Sequence, residues 1–104
     1  MKEELGKLYF ELDYIGMVFN KTQKIGNIDA VKEYLPEISQ FVEWFLAGNR
    51  FDIDDETYNL LASNLIEIMN DIVTAIENQD RVLMNDAIQF GLQEYLKMFI
   101  DVEE

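Results

Sequence analysis

Apolar residues recur at intervals of three and four along almost the whole chain, and no alternating run of β-branched residues lasts beyond a few positions. That period collects apolar side chains on one face of an α-helix and does not suit a half-buried strand, whose period is two. The sequence therefore predicts an all-α protein, with four helices.

The first helix is expected over about residues 2 to 23, with Leu5, Leu8, Leu12, Ile15 and Phe19 forming its core stripe. Gly26-Asn27 ends it or makes the turn just after. The second is expected from an N-cap at Asp29 to Leu46, through Val31, Leu35, Ile38, Val42 and Phe45. Pro36 lies inside that stretch and cannot donate to the carbonyl of Lys32, so the helix either kinks near Leu35 or consists of a short segment that restarts there. Residues 48 to 54 form the central connection. Asp54 then caps the third helix, and Ile53 and Tyr58 have the spacing of a hydrophobic staple across its start. This helix runs to about Glu77 with Leu61, Leu65, Ile68, Ile72 and Ala75 on one seam. Ala62, Ile66, Met69, Val73 and Ile76 lie beside them, a width that predicts an inner helix. The fourth begins after Asp80 and uses Met84, Ile88, Gly91, Tyr95, Met98 and Val102, with a frayed tail from Asp101 to Glu104.

Ile25-x-Asn27-x-Asp29-x-Val31 recurs 51 residues later as Ile76-x-Asn78-x-Asp80-x-Val82. At the same offset, Phe41-Val42-Glu43-Trp44-Phe45 falls on Leu92-Gln93-Glu94-Tyr95-Leu96. If both turns act alike, Asn supplies a tolerant backbone position and Asp caps the next helix. The expected architecture is a single domain over residues 1–104: an up-down four-helix bundle of two αα-hairpins, about 2–47 and about 55–100, with a possible internal repeat. Chance similarity of helical turns is the alternative explanation for the repeat. A superhelical stack of tetratricopeptide type would need more units and a shorter period.

Composition narrows the chemistry. The 104 residues include no histidine and no cysteine. Disulfides, thiolate nucleophiles, sulfur-based metal sites and the commonest general base are therefore absent, as are the Glu-x-x-His pairs of carboxylate-bridged dimetal bundles. The dense acids Asp52, Asp54, Asp55 and Glu56 do not form a calcium loop, since Thr57 and Ser63 occupy the places needing Gly and a bidentate acid. Capping and helix-dipole complementation explain them. No glycine-rich phosphate loop exists, and Gly16 and Gly91 are expected at close helix contacts. Glu11 with Asp13, or Glu43 with Glu94, are the least unsuitable carboxylate pairs for hydrolysis, and each reads more simply as a solvated helix residue. No catalytic residue, metal ligand or cofactor is expected, and the chain is not expected to be an enzyme.

The formal charge is −13. Residues 1–52 carry 9 acids and 6 bases, whereas residues 53–104 carry 12 and 2. Nucleic acid is not an expected partner, because phosphate neutralisation needs clustered Lys and Arg. A basic partner, or solubility, would be served by such a field. No run approaches eighteen apolar residues, so no membrane partner is expected. Met1-Lys2-Glu3-Glu4 does not read as a secretory leader, and a cytoplasmic location is expected.

The aromatic residues point furthest. Phe10, Tyr14 and Met17 form a second apolar stripe on the first helix, opposite its core stripe. An outer helix of a monomeric bundle needs only one such stripe, so the second predicts a central position, a homodimer interface or a partner groove. Phe41, Trp44 and Phe51, near the central connection, are a further partner-binding group. In both groups, completion of the core is the competing reading.

The stretch from Ala75 to Val82, followed by Asp86-Ala87-Ile88 and Gln93-Glu94-Tyr95-Leu96, resembles small acidic all-α proteins of bacteria of unknown function. In size, acidity and helicity the chain is also similar in type to flagellar and secretion chaperones, which cover apolar segments of export substrates. That resemblance implies an adaptor or chaperone-like role and assigns no residue. The expected function is a non-enzymatic helical protein-binding module whose partner is another protein or a second copy. An acidic structural or regulatory subunit binding a basic partner is the alternative, and a carboxylate-dependent hydrolase is the least supported.

Overall fold

Six α-helical segments and one π-helical turn follow one another in a computed structural model, which describes residues 2–21 and 26–100. Helix α1 spans Lys2–Lys21, and its expected stripe points inward, with Leu5, Leu8, Leu12 and Phe19 buried and Ile15 packed against the core. Thr22 and Gln23, the expected end of this helix, lie outside the described residues.

The second expected helix is two. Helix α2 (Asn27–Lys32) stops at Glu33, and α3 (Leu35–Leu46) restarts with Pro36 in its first turn. Proline is favoured there because its missing N–H would have no helical acceptor. The backbone bridges the break through Tyr34, whose N–H donates to Val31 O at 2.9 Å and whose carbonyl accepts from Ile38 N at 2.9 Å. The short-segment outcome was one of the two expected at Pro36. The cap differs from expectation: Gly26, with φ 84°, precedes the first turn, and Asp29 lies inside it. Glycine takes this left-handed geometry without a Cβ clash.

Helix α4 (Asp55–Asn78) begins as expected. The Asp54 carboxylate accepts from Thr57 N at 3.0 Å and from the Thr57 hydroxyl at 2.6 Å, bonds that hold its pKa below the ordinary aspartate value. Ile53 and Tyr58 both pack in the core. The next turn is tight, with Gln79 in the left-handed region at φ 54° and Asp80 accepting from Leu83 N at 3.0 Å to cap α5 (Arg81–Ala87). A π-helical turn, Ile88–Leu92, then leads into α6, Gln93–Lys97. The expected frayed tail and Val102 lie outside the described residues.

Each member of the bundle packs beside its neighbours in sequence: α1 on α2 and α3, α3 on α4, and α4 on α5 and the π-helical turn. The ring closes where α6 and that turn return to α1. The protein is therefore all-α with up-down bundle packing. Helix α4 is not an inner helix. Its first seam is buried at Leu65, Ile68, Ile72 and Ala75, while Ile66 and Val73 on the second are 48% and 50% exposed. Only three other members surround the core, too few to cover two seams of one helix.

The two turns of the candidate repeat have different geometry. Gly26 and Gln79, not the asparagines, occupy the left-handed positions. Asn27 is instead a buried helical residue whose amide donates to Arg81 O at 2.9 Å, tying α2 to α5. Ile25 lies outside the described residues. The second aligned pair does share a burial pattern, with Phe41, Val42 and Phe45 matched by Leu92, Gln93 and Leu96, and Glu43 and Glu94 both exposed.

Gly16 and Gly91 mark close packing, as expected. A Cβ on Gly91 would lie 3.0 Å from Ile68 Cδ1, and one on Gly16 would overlap the Gln89 amide. Gly91→Val forces α4 away from the π-helical turn and is expected to cost about 1–3 kcal/mol. Asp80→Ala removes a cap and is expected to cost about 1 kcal/mol. Urea unfolding followed by circular dichroism measures both.

Candidate protein-binding face

Helix α1 divides its side chains between two opposite faces. Toward the bundle it turns Leu5, Leu8, Tyr9, Leu12 and Phe19. Away from it lie Phe10, Tyr14 and Met17, which are 54%, 59% and 44% exposed. These three are spaced four and three apart and so stand one above another on the outward side. Phe10 is fixed at its base by Tyr9, whose ring meets it edge to face with centroids 5.3 Å apart. Glu3, Lys7 and Lys21 continue the same row beyond the apolar stretch and are exposed.

Acids border the row on both sides, each held by the neighbouring helix. Tyr34 on the α2–α3 bend donates its hydroxyl to Glu11 Oε2 at 2.9 Å. That bond, with the nearby negative charge, raises the Tyr34 pKa above the ordinary value. On the other border, Gln93 of α6 donates to Asp13 Oδ1 at 3.2 Å, and Gln89 donates to Gln93 Oε1 at 2.9 Å. Beside Tyr14, an apolar groove of about 140 Å³ runs between α1 and α2, lined by Ile15, Val18, Phe19, Gly26 and Ala30.

The other expected group is placed differently. Phe41 is 1% exposed and belongs to the core, so it is removed from the candidate surface. Trp44 and Phe51 are half-buried against the same core. The reason is the central connection, which folds back so that Phe51 stacks on Phe45 with centroids 5.1 Å apart and meets Trp44 at 5.3 Å. Phe99 closes the cluster, 5.1 Å from Trp44. Arg50 lies across its rim, its guanidinium carbon 5.3 Å from the Trp44 ring centroid and its Nη2 donating to Trp44 O at 2.6 Å. What remains accessible there is a cation laid over aromatic faces.

Phe90 escaped the sequence reading. It is 76% exposed on the π-helical turn, and the only sequence signal was its position off the Met84, Ile88, Gly91, Tyr95 stripe. Among the stripe methionines, Met84 is fully buried, Met69 is partly buried and Met98 is exposed.

No group of His, Cys, Asp or Glu among the described residues is arranged to hold a metal ion. A cleft of about 250 Å³ between α1 and α3 gathers Glu4, Glu11 and Glu37 around Tyr34 and Lys7. Glu4 and Glu37 are exposed there, whereas a general acid requires a carboxyl group withdrawn from water. No helix among the described residues is long and apolar enough to cross a membrane. No known protein family, curated protein or solved structure matches the chain.

Truncation separates the two aromatic groups. Phe41→Ala opens a cavity in the core and is expected to cost about 3–5 kcal/mol. Phe10→Ala is expected to stay within about 1 kcal/mol, because most of its ring is already in water. Paired thermal melts measure the difference.

Proposed function

We propose that the protein is a non-enzymatic helical protein-binding module of adaptor or chaperone-like type, working in the cytoplasm, with the outward row of α1 as its docking face. The carrying observation is the exposure of Phe10, Tyr14 and Met17 on a helix whose own core stripe is already complete. Removal of that apolar surface from water is the driving force available for association. Tyrosine and phenylalanine supply large contact area at little cost in side-chain freedom. A bound helix would lie along the row, reading apolar anchors at the same three and four spacing.

A second reading, an acidic subunit that meets a basic partner, is favoured by one observation. The acids Asp55, Glu56, Glu67, Asp71 and Glu77 are all exposed along α4. Salt separates the two readings, since screening weakens charge pairing between exposed groups and leaves apolar docking intact.

Affinity capture from the native cell with the wild-type chain and with Phe10→Ser/Tyr14→Ser tests the proposal. The variant is expected to keep its helical circular dichroism and melting temperature while losing the bound protein. Undiminished capture by a folded variant would remove the α1 face from the function, and capture that disappears with added salt would favour the acidic surface.

A further inference from the structure

Resting on the reading of α1 as a docking face, we infer that its occupant is a second copy of this chain, paired antiparallel along α1. The outward row is Glu3, Lys7, Phe10, Tyr14, Met17 and Lys21, spaced 4, 3, 4, 3 and 4. That is the alternation of a coiled-coil seam, carried by the face of α1 turned away from its own core. Among the described residues, the side chains of Glu3, Lys7 and Lys21 have no ion pair or hydrogen bond with their own chain.

The row is self-complementary in one direction and one register. Laid antiparallel, Phe10 meets Tyr14 of the partner subunit, Lys7 meets Met17 of the partner subunit, and Glu3 meets Lys21 of the partner subunit. A two-fold axis repeats each pairing, as an isologous interface requires. The central layers are aromatic, the Lys7 stem covers the methionine while its ammonium reaches water, and opposite charges close both ends. Parallel pairing would instead stack Lys7 on Lys7 and Lys21 on Lys21. A shift of one heptad sets Phe10 against Lys21. Of the acids bordering the row, Glu11 and Asp13 are drawn aside by Tyr34 and Gln93, and Glu4 is exposed one turn before Lys7 on the Glu11 side. Each copy carries a net −13, so the pair forms against a general repulsion and separates on dilution.

Sedimentation equilibrium of the full chain over a wide concentration range, with charge variants, tests the pairing. The wild type is expected to dimerise reversibly. Glu3→Lys and Lys21→Glu each place like charges at both ends and are expected to weaken the dimer about tenfold, while the double exchange restores it. A chain that is monomeric throughout overturns the inference, as does a dimer for which the exchange fails to rescue. Register is read independently, because the native chain has no cysteine. Oxidation of mixed Glu3→Cys and Lys21→Cys chains is expected to favour the mixed disulfide, and a statistical mixture would overturn the antiparallel register. A monomer whose capture of another protein is lost on Phe10→Ser/Tyr14→Ser would refute self-pairing and leave the docking reading standing.

Discussion

The packing around Phe45 determines how the rest of the bundle can be arranged. Its ring is fully buried and stacks on Phe51 and Tyr58 while meeting Tyr95 and Phe99 at steep angles. Those residues come from the central connection, from α4 and from the C-terminal segment, so one side chain of α3 joins three other parts of the chain. Tyr58 adds a directional restraint by donating its hydroxyl to Phe45 O at 2.7 Å. Tyr95 does the same for the opposite pair, donating to Leu61 O at 2.7 Å and accepting from Asn64 at 3.0 Å. Burial raises the Tyr95 pKa above the ordinary value, consistent with a phenol held as a donor. Apolar burial supplies the attraction, and these two phenols fix the rotation of α4 against its neighbours.

Much of this order was legible in the sequence because it depends on local chemistry. The caps at Asp54 and Asp80, the restart of the second helix at Pro36 and the inward stripe of α1 each follow from a few adjacent residues. What escaped depends on partners far along the chain. Asn27 reads as a turn residue until Arg81 is brought beside it, and the left-handed position falls on Gln79, one residue after the Asn78 that the sequence favours for it. The π-helical turn is hidden for the same reason. Apart from Gly91 its residues have ordinary helical propensity, and what Gly91 permits, a close approach to Ile68, involves a residue of another helix.

The candidate site divides along the same line. Phe10, Tyr14 and Met17 could be placed opposite the core stripe from helical period alone, since both stripes lie on one uninterrupted helix. Phe41 lies three residues after Ile38 and four before Phe45, so the period of α3 could have placed it inside. Trp44 and Phe51 could not be sorted that way, because their cover depends on how the chain between Ala47 and Ile53 folds back. Spacing can place side chains on one face of a helix. It cannot say whether a distant segment will cover them.

The chain contains a single tryptophan, and its position makes it a selective optical reporter. Trp44 lies in the aromatic cluster under Arg50, on α3, while the outward row belongs to α1. Its emission therefore follows the seating of the central connection and carries no direct signal from Phe10 or Tyr14. Local opening at the cluster can thus be followed without a label and apart from events on the α1 row.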